Sequence, residues 1–153
     1  MTITNTTTKV GYTGDGVTVA FPVPFPFFDM DELEVVERVI STGVETSKVL
    51  TTHYTVSGGN GSTGTVTALA APTALVQWFI LRKTAIVQET DYPQNDPFPA
   101  ESHERALDRG IAISQELREI LDRAIKIPKT DPSSAGTELP ATVSRANKYL
   151  GFG

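Results

Sequence analysis

Few side chains in this sequence could do chemistry. The chain of 153 residues has two histidines, His53 and His103, and no cysteine. Without thiols, disulfides and thiolate zinc sites are excluded. His103-Glu104 opens like a zinc-binding HExxH helix, but position 107 is Leu, so the second imidazole is missing. What remains is a polar first turn of a helix. His53 falls in a strand pattern, as an exposed or packing residue. Asp29, Asp31, Glu32 and Glu34 form an acidic cluster, and paired carboxylates can run glycoside hydrolysis. No aromatic platform accompanies them, so they read as a solvated loop-to-strand junction. Gly14-Asp15-Gly16 and the Gly-rich stretch 58–64 lack the Lys-Ser/Thr of a phosphate loop, do not open a helix and read as turns. No serine has a nucleophile-elbow context. The expectation is a protein that is not an enzyme, with no catalytic, metal or cofactor-binding residues.

The bulk composition narrows the class further. Apolar residues make up 39% and charged residues 20%, enough to bury a modest core. The net charge of −5 removes the basic surface that nucleic acid would require. The Thr-rich start MTITNTTTKV has neither the basic nor the apolar region of a signal peptide. The longest apolar run, around residues 74–81, is too short to span a bilayer, so membrane insertion is not expected.

Four zones follow along the chain. Residues 1–10 are polar, an arm that is flexible or ordered by a partner. Residues 11–98 form a β domain, with strand patterns at 17–21, 33–40, 49–56, 65–69 and 75–82. The last is apolar on both faces and is expected at the centre of a sheet, with Trp78 in the core. Such short, evenly spaced strands predict a small antiparallel β-sandwich or barrel. Phe21-Pro22-Val23-Pro24-Phe25-Pro26-Phe27-Phe28 is unusual. Alternating prolines cannot form a central strand and favour a polyproline-like course. Its apolar side chains either pack over the core, as a strand leaving the sheet, or make Phe21, Phe25, Phe27 and Phe28 a docking ridge for a partner.

Residues 99–127 predict one long helix, started near Pro97 and Pro99 and ended by Pro128. Ala106, Gly110, Ile113, Leu117, Ile120, Ala124 and Ile127 recur at alternating spacings of four and three, a heptad seam. Leu107, Ile111, Leu121 and Ile125 make a second apolar row beside it. The far face carries the i,i+4 pairs Glu101–Arg105, Glu119–Arg123 and Asp122–Lys126, each worth only about 0.2–0.5 kcal/mol. Two adjacent rows can serve two partners: one the β domain or a neighbouring chain, the other a symmetry axis. Burying each Leu or Ile is worth roughly 1.5–3 kcal/mol, so a wet row is costly. The alternative is one chain folding this helix across its own sheet. Residues 128–153 read as a linker with a short helix, leading toward a downstream module.

These motifs together resemble the N-terminal region of tail fibres and tailspikes from short-tailed bacteriophages. The resemblance covers roughly residues 12–152 and rests on order and spacing: the Gly14–Phe28 turn and Phe-Pro stretch, Tyr54-Thr55-Val56-Ser57-Gly58 with Gly64-Thr65-Val66-Thr67, a strand ending in Arg82, Gln88-Glu89-Thr90-Asp91-Tyr92, the Phe98–Arg109 helix opening, and the tail from Leu139 to Phe152. It implies a structural virion protein that anchors a host-recognition appendage to the phage tail. The implied assembly is a homotrimer with a coiled-coil stalk. Its β domains would dock on tail adaptor or nozzle proteins, and it would meet the host receptor only through downstream modules. It further implies synthesis in the host bacterial cytoplasm and no cofactor. Gly110 departs from the bulky residue usual at that point of the helix. The chain stops at Gly153, where members of this family continue, so the expectation is either an anchor portion or a short stand-alone adaptor. A carbohydrate-binding or depolymerising receptor protein is the alternative from another class.

Overall fold

The computed structural model describes residues 3–88, 99–126 and 130. The chain divides into two compact units, residues 1–122 and 123–153. Ile127 and nearly all of the predicted linker lie outside the described residues.

Among the described residues, seven strands form two antiparallel sheets. The first has the order β1 (Lys9–Thr13), β7 (Val76–Arg82), β3 (Leu33–Val39), β4 (Glu45–Lys48). The second has the order β2 (Ala20–Phe27), β6 (Ser62–Ala68), β5 (Tyr54–Gly58). Both sheets are open, so the barrel alternative does not hold. β7 lies between β1 and β3, as its apolar run predicts. Phe21, Val23, Phe25, Phe27, Tyr54, Val66 and Ala68 from the second sheet meet Leu33, Val35, Trp78 and Ile80 from the first in one core. Among the described residues one α-helix, α1 (Ala100–Asp122), follows.

The Phe-Pro segment is a strand paired within the sheet, with one irregularity, and not a polyproline-like departure from it. β2 pairs with β6, Ala20 opposite Thr67 through Val23 opposite Gly64, then shifts register before Phe27 meets Ser62. Side chains alternate: Phe21, Val23, Phe25 and Phe27 point into the core, and Pro22, Pro24 and Pro26 fall between them. β2 is an edge strand, where proline is tolerated. With alternating orientation, prolines two apart all turn the same way, toward the free edge, so the ladder to β6 loses no donor. Their carbonyls on that edge are taken individually. Tyr12 Oη donates to Pro22 O, Asn5 Nδ2 to Pro24 O at 2.9 Å, and Arg82 Nη1 to Pro26 O at 3.0 Å.

Two strand expectations shift. Val17 and Val19 precede β2 and are exposed. The predicted strand 49–56 is interrupted by a turn. His53 N donates to Val49 O at 2.9 Å, its Nδ1 accepts from Val49 N at 3.0 Å, and Thr51 takes a φ of 68°. The Gly-rich stretch is a loop as expected, and space as well as φ requires glycine there. A side chain on Gly59 would begin 2.6 Å from the Phe27 ring, and one on Gly64 2.2 Å from Ser57 O.

In the Gly-Asp-Gly turn, Asp15 accepts hydrogen bonds from Thr18 Oγ1 and N, both at 2.6 Å, and from Val17 N at 2.8 Å. These bonds, Thr18's hydroxyl foremost, hold its carboxyl at about 2 against an ordinary 3.8. A depressed folded-state value stabilises above the ordinary one. The Asp15 contribution is therefore full above pH 3.8 and is lost as pH falls through about 2. An NMR titration of the Asp15 carboxyl is expected to show its midpoint near 2; a midpoint near 3.8 would mean that these bonds do not persist in solution.

Candidate functional site

The helix docks on the sheets by its charged face. Arg82 ends β7 with a fully buried side chain. Its Nε donates to Glu116 Oε1 at 2.8 Å, and its Nη2 to Gln115 Oε1 at 2.7 Å and to Ala112 O at 3.3 Å. Glu116 also accepts from Thr84 N at 3.0 Å and Thr84 Oγ1 at 2.6 Å. About two turns earlier, Arg109 Nη2 pairs with Glu32, which is only 3% exposed, and Glu32 accepts from Ala85 N at 3.0 Å. Arg105 and Arg109 each stand 5.6 Å from the Phe28 ring, and Arg105 also bonds Asn60 of the Gly-rich loop. Every charge in this junction has a partner, which an interior of low dielectric requires.

The N-terminal segment lies along the same face. Ile3 N donates to Asp108 Oδ1 at 3.1 Å, Gln115 Nε2 to Asn5 O at 3.0 Å, and Lys9 Nζ pairs with Glu119 at 2.6 Å. Residues 3–8 are thus strapped between helix and β2. Deleting residues 1–7 is expected to speed amide hydrogen exchange in residues 108–119 by about tenfold, the worth of roughly one or two hydrogen bonds, and to leave the sheets unchanged. Equal exchange in both forms would show that the strap contributes nothing.

Docking residues 105, 108, 109, 112, 115, 116 and 119 recur at helical spacing on one side. With 3.6 residues per turn, the heptad seam lies roughly 120° around the helix from them. Neither apolar row therefore faces the chain's own sheets. Leu117 is 50% exposed and Ile120 56%, Gly110 is open, and Ala106 and Ile113 are half-buried. Ala124 lies just past the helix end. In the second row Leu107, Ile111 and Leu121 are all exposed. No atom lies within 4 Å of where a Gly110 side chain would begin, so the seam has a notch there.

The aromatic candidates fall elsewhere. Phe21, Phe25, Phe27 and Phe28 are buried, none more than 3% exposed, so their rings are core and not a surface ridge. Trp78 is equally buried and donates to Glu37 Oε2 at 2.9 Å. Of the acidic cluster, Glu32 is buried in the helix junction, whereas Asp29 and Asp31 are exposed. His53 is exposed in its turn and His103 half-buried in the first turn of α1. A cavity of about 320 Å³ is lined by Glu37, Lys48, His53, Pro72, Val76 and Trp78, among others. Burial pushes the Glu37 carboxyl up, but its bonds to Lys48 and Trp78 outweigh this and hold it below the usual range.

The junction Arg82–Glu116 and Glu32–Arg109 was missed by sequence reasoning. The one available signal was Arg82, a charge closing an apolar run. Chemically, the arrangement fastens a helix by its polar face and leaves its apolar side exposed.

No family model matches the chain. It is similar to the tail spike protein of Salmonella phage epsilon15, at 36% identity over 129 residues. The match covers 84% of this chain and 12% of that protein, so the chain spans about an eighth of the relative's length. The chain is therefore a tailspike-related region, and the relationship supports a structural role in a phage tail.

Proposed function

We propose that this region is the anchor of a phage tail fibre or tailspike, joining the host-recognition appendage to the virion. It acts as a homotrimer. Its β regions dock on tail adaptor or nozzle proteins, and its helices gather three chains into a stalk. The reading assigns the region no catalytic residue and no cofactor, and leaves receptor contact to downstream modules. It places the protein in the virion tail after synthesis in the host cytoplasm.

The observation that carries this reading is the orientation of α1. A helix fastened by its polar face, with a heptad apolar seam turned outward, is built to meet another copy. Ile and Leu at the seam lean toward more than two strands. The similarity to a tail spike protein supports the setting. A glycan-binding role draws less support, because Trp78, the sole tryptophan, is buried. Quantitative mass spectrometry of purified virions is expected to find the protein in the tail at a multiple of three copies. Its absence from the particle, or a copy number not divisible by three, overturns the reading.

A further inference from the structure

Resting on the trimer reading above, we propose that the first part of the second apolar row of each helix, Leu107 and Ile111, is covered by Ile86 and Val87 of the neighbouring copy. The argument begins with heptad geometry. The spacings put residues 106, 113 and 120 at d and 110 and 117 at a. Leu107 and Leu121 then fall at e, Ile111 at b, and Arg109 and Glu116 at g. In a parallel bundle, the e flank of one helix faces the g flank of the next.

The g flank here is not bare. Arg109 Nε donates to Ala85 O at 3.3 Å, and Glu116 holds Thr84 by its N and Oγ1. The segment leaving β7 therefore runs beside g. Its next two residues, Ile86 and Val87, are 78% and 54% exposed. Across the helix, on the e and b side, Leu107, Ile111 and Leu121 are 60%, 51% and 59% exposed. Two wet apolar patches thus occupy opposite flanks of one helix and cannot meet within a chain. Rotation about a parallel three-fold axis brings the g flank of one copy, with Ile86 and Val87 beside it, to the e flank of the next. The occupant of the Leu107 and Ile111 patch is a second copy of this chain, and the same contact repeats three times around the axis.

The absence of native cysteine makes the test direct. Full chains carrying Ile86→Cys and Ile111→Cys are co-expressed and treated with a short bismaleimide. Covalent dimers joining the two variants are expected, with none from Ile111→Cys alone. Leu117→Cys, on the seam, reports the trimer separately and is expected to cross-link with itself. In addition, Ile86→Ser is expected to weaken trimerisation by about tenfold while leaving monomer melting unchanged. Seam cross-links without the 86–111 cross-link overturn this contact and leave the trimer standing. Loss of both, with a monomer mass by sedimentation, overturns both.

Discussion

Leu117→Asp is expected to convert the proposed trimer to monomers while leaving each monomer's fold and melting temperature nearly unchanged. The two halves of that outcome have different physical sources. Leu117 is half exposed in the single chain, so an aspartate there remains hydrated and costs the monomer less than about 0.5 kcal/mol. In a three-fold bundle, one substitution sets three carboxylates beside one axis. Burying an unpaired carboxylate costs several kcal/mol, like charges add repulsion, and aspartate is too short to reach water. By comparison, Glu34→Lys should change little: Glu34 keeps an exposed carboxylate 3.9 Å from Lys83. Sedimentation equilibrium paired with thermal denaturation measures both quantities. A variant that keeps a native trimer mass would remove α1 from the axis.

Arg82→Ala is expected to do the reverse, damaging the monomer itself. It removes the partner of Glu116 and the donors to Pro26 O, Ala112 O and Gln115 at once. Breaking a buried pair by deleting one member costs about 3–5 kcal/mol, because the remaining charge is stranded. A unit of this size has only about 5–15 kcal/mol of total stability. Chemical denaturation should therefore show a large fall in midpoint, with helix protection lost first. Arg82→Met, which keeps the packed stem, should lose less than Arg82→Ala. If both variants melt with the wild type, the junction does not hold the helix.

How much of this was legible in the sequence depended on whether a feature is periodic. The start of α1, the central place of β7 and the turns at Gly14–Gly16 and around Gly59 all follow from local pattern, and the structure keeps them, whereas α1 ends at Asp122, short of the expected residue 127. The apolar rows of the helix were legible too, but not the direction they face. Amphipathic reasoning assigns the apolar stripe to the chain's own core. Here Glu32, 77 positions before Arg109, supplies the attachment instead, and no local window contains both. The Phe-Pro strand was misread for a related reason. Prolines exclude a central strand, but whether a strand lies at an edge is set by partners far along the chain, here β6 and the Asn5, Tyr12 and Arg82 side chains.

That proline edge has a consequence for how copies of this chain can meet. The free side of β2 offers no N–H at Pro22, Pro24 or Pro26, and the three carbonyls are already engaged. A foreign strand arriving there would find no donor at the prolines and carbonyls that are already engaged, which disfavours extending the sheet from that side. Where newly made chains are crowded, strand exchange is a usual route to tangled products. With this edge sealed, contact through β2 is unproductive, and encounters are steered toward the apolar side of α1.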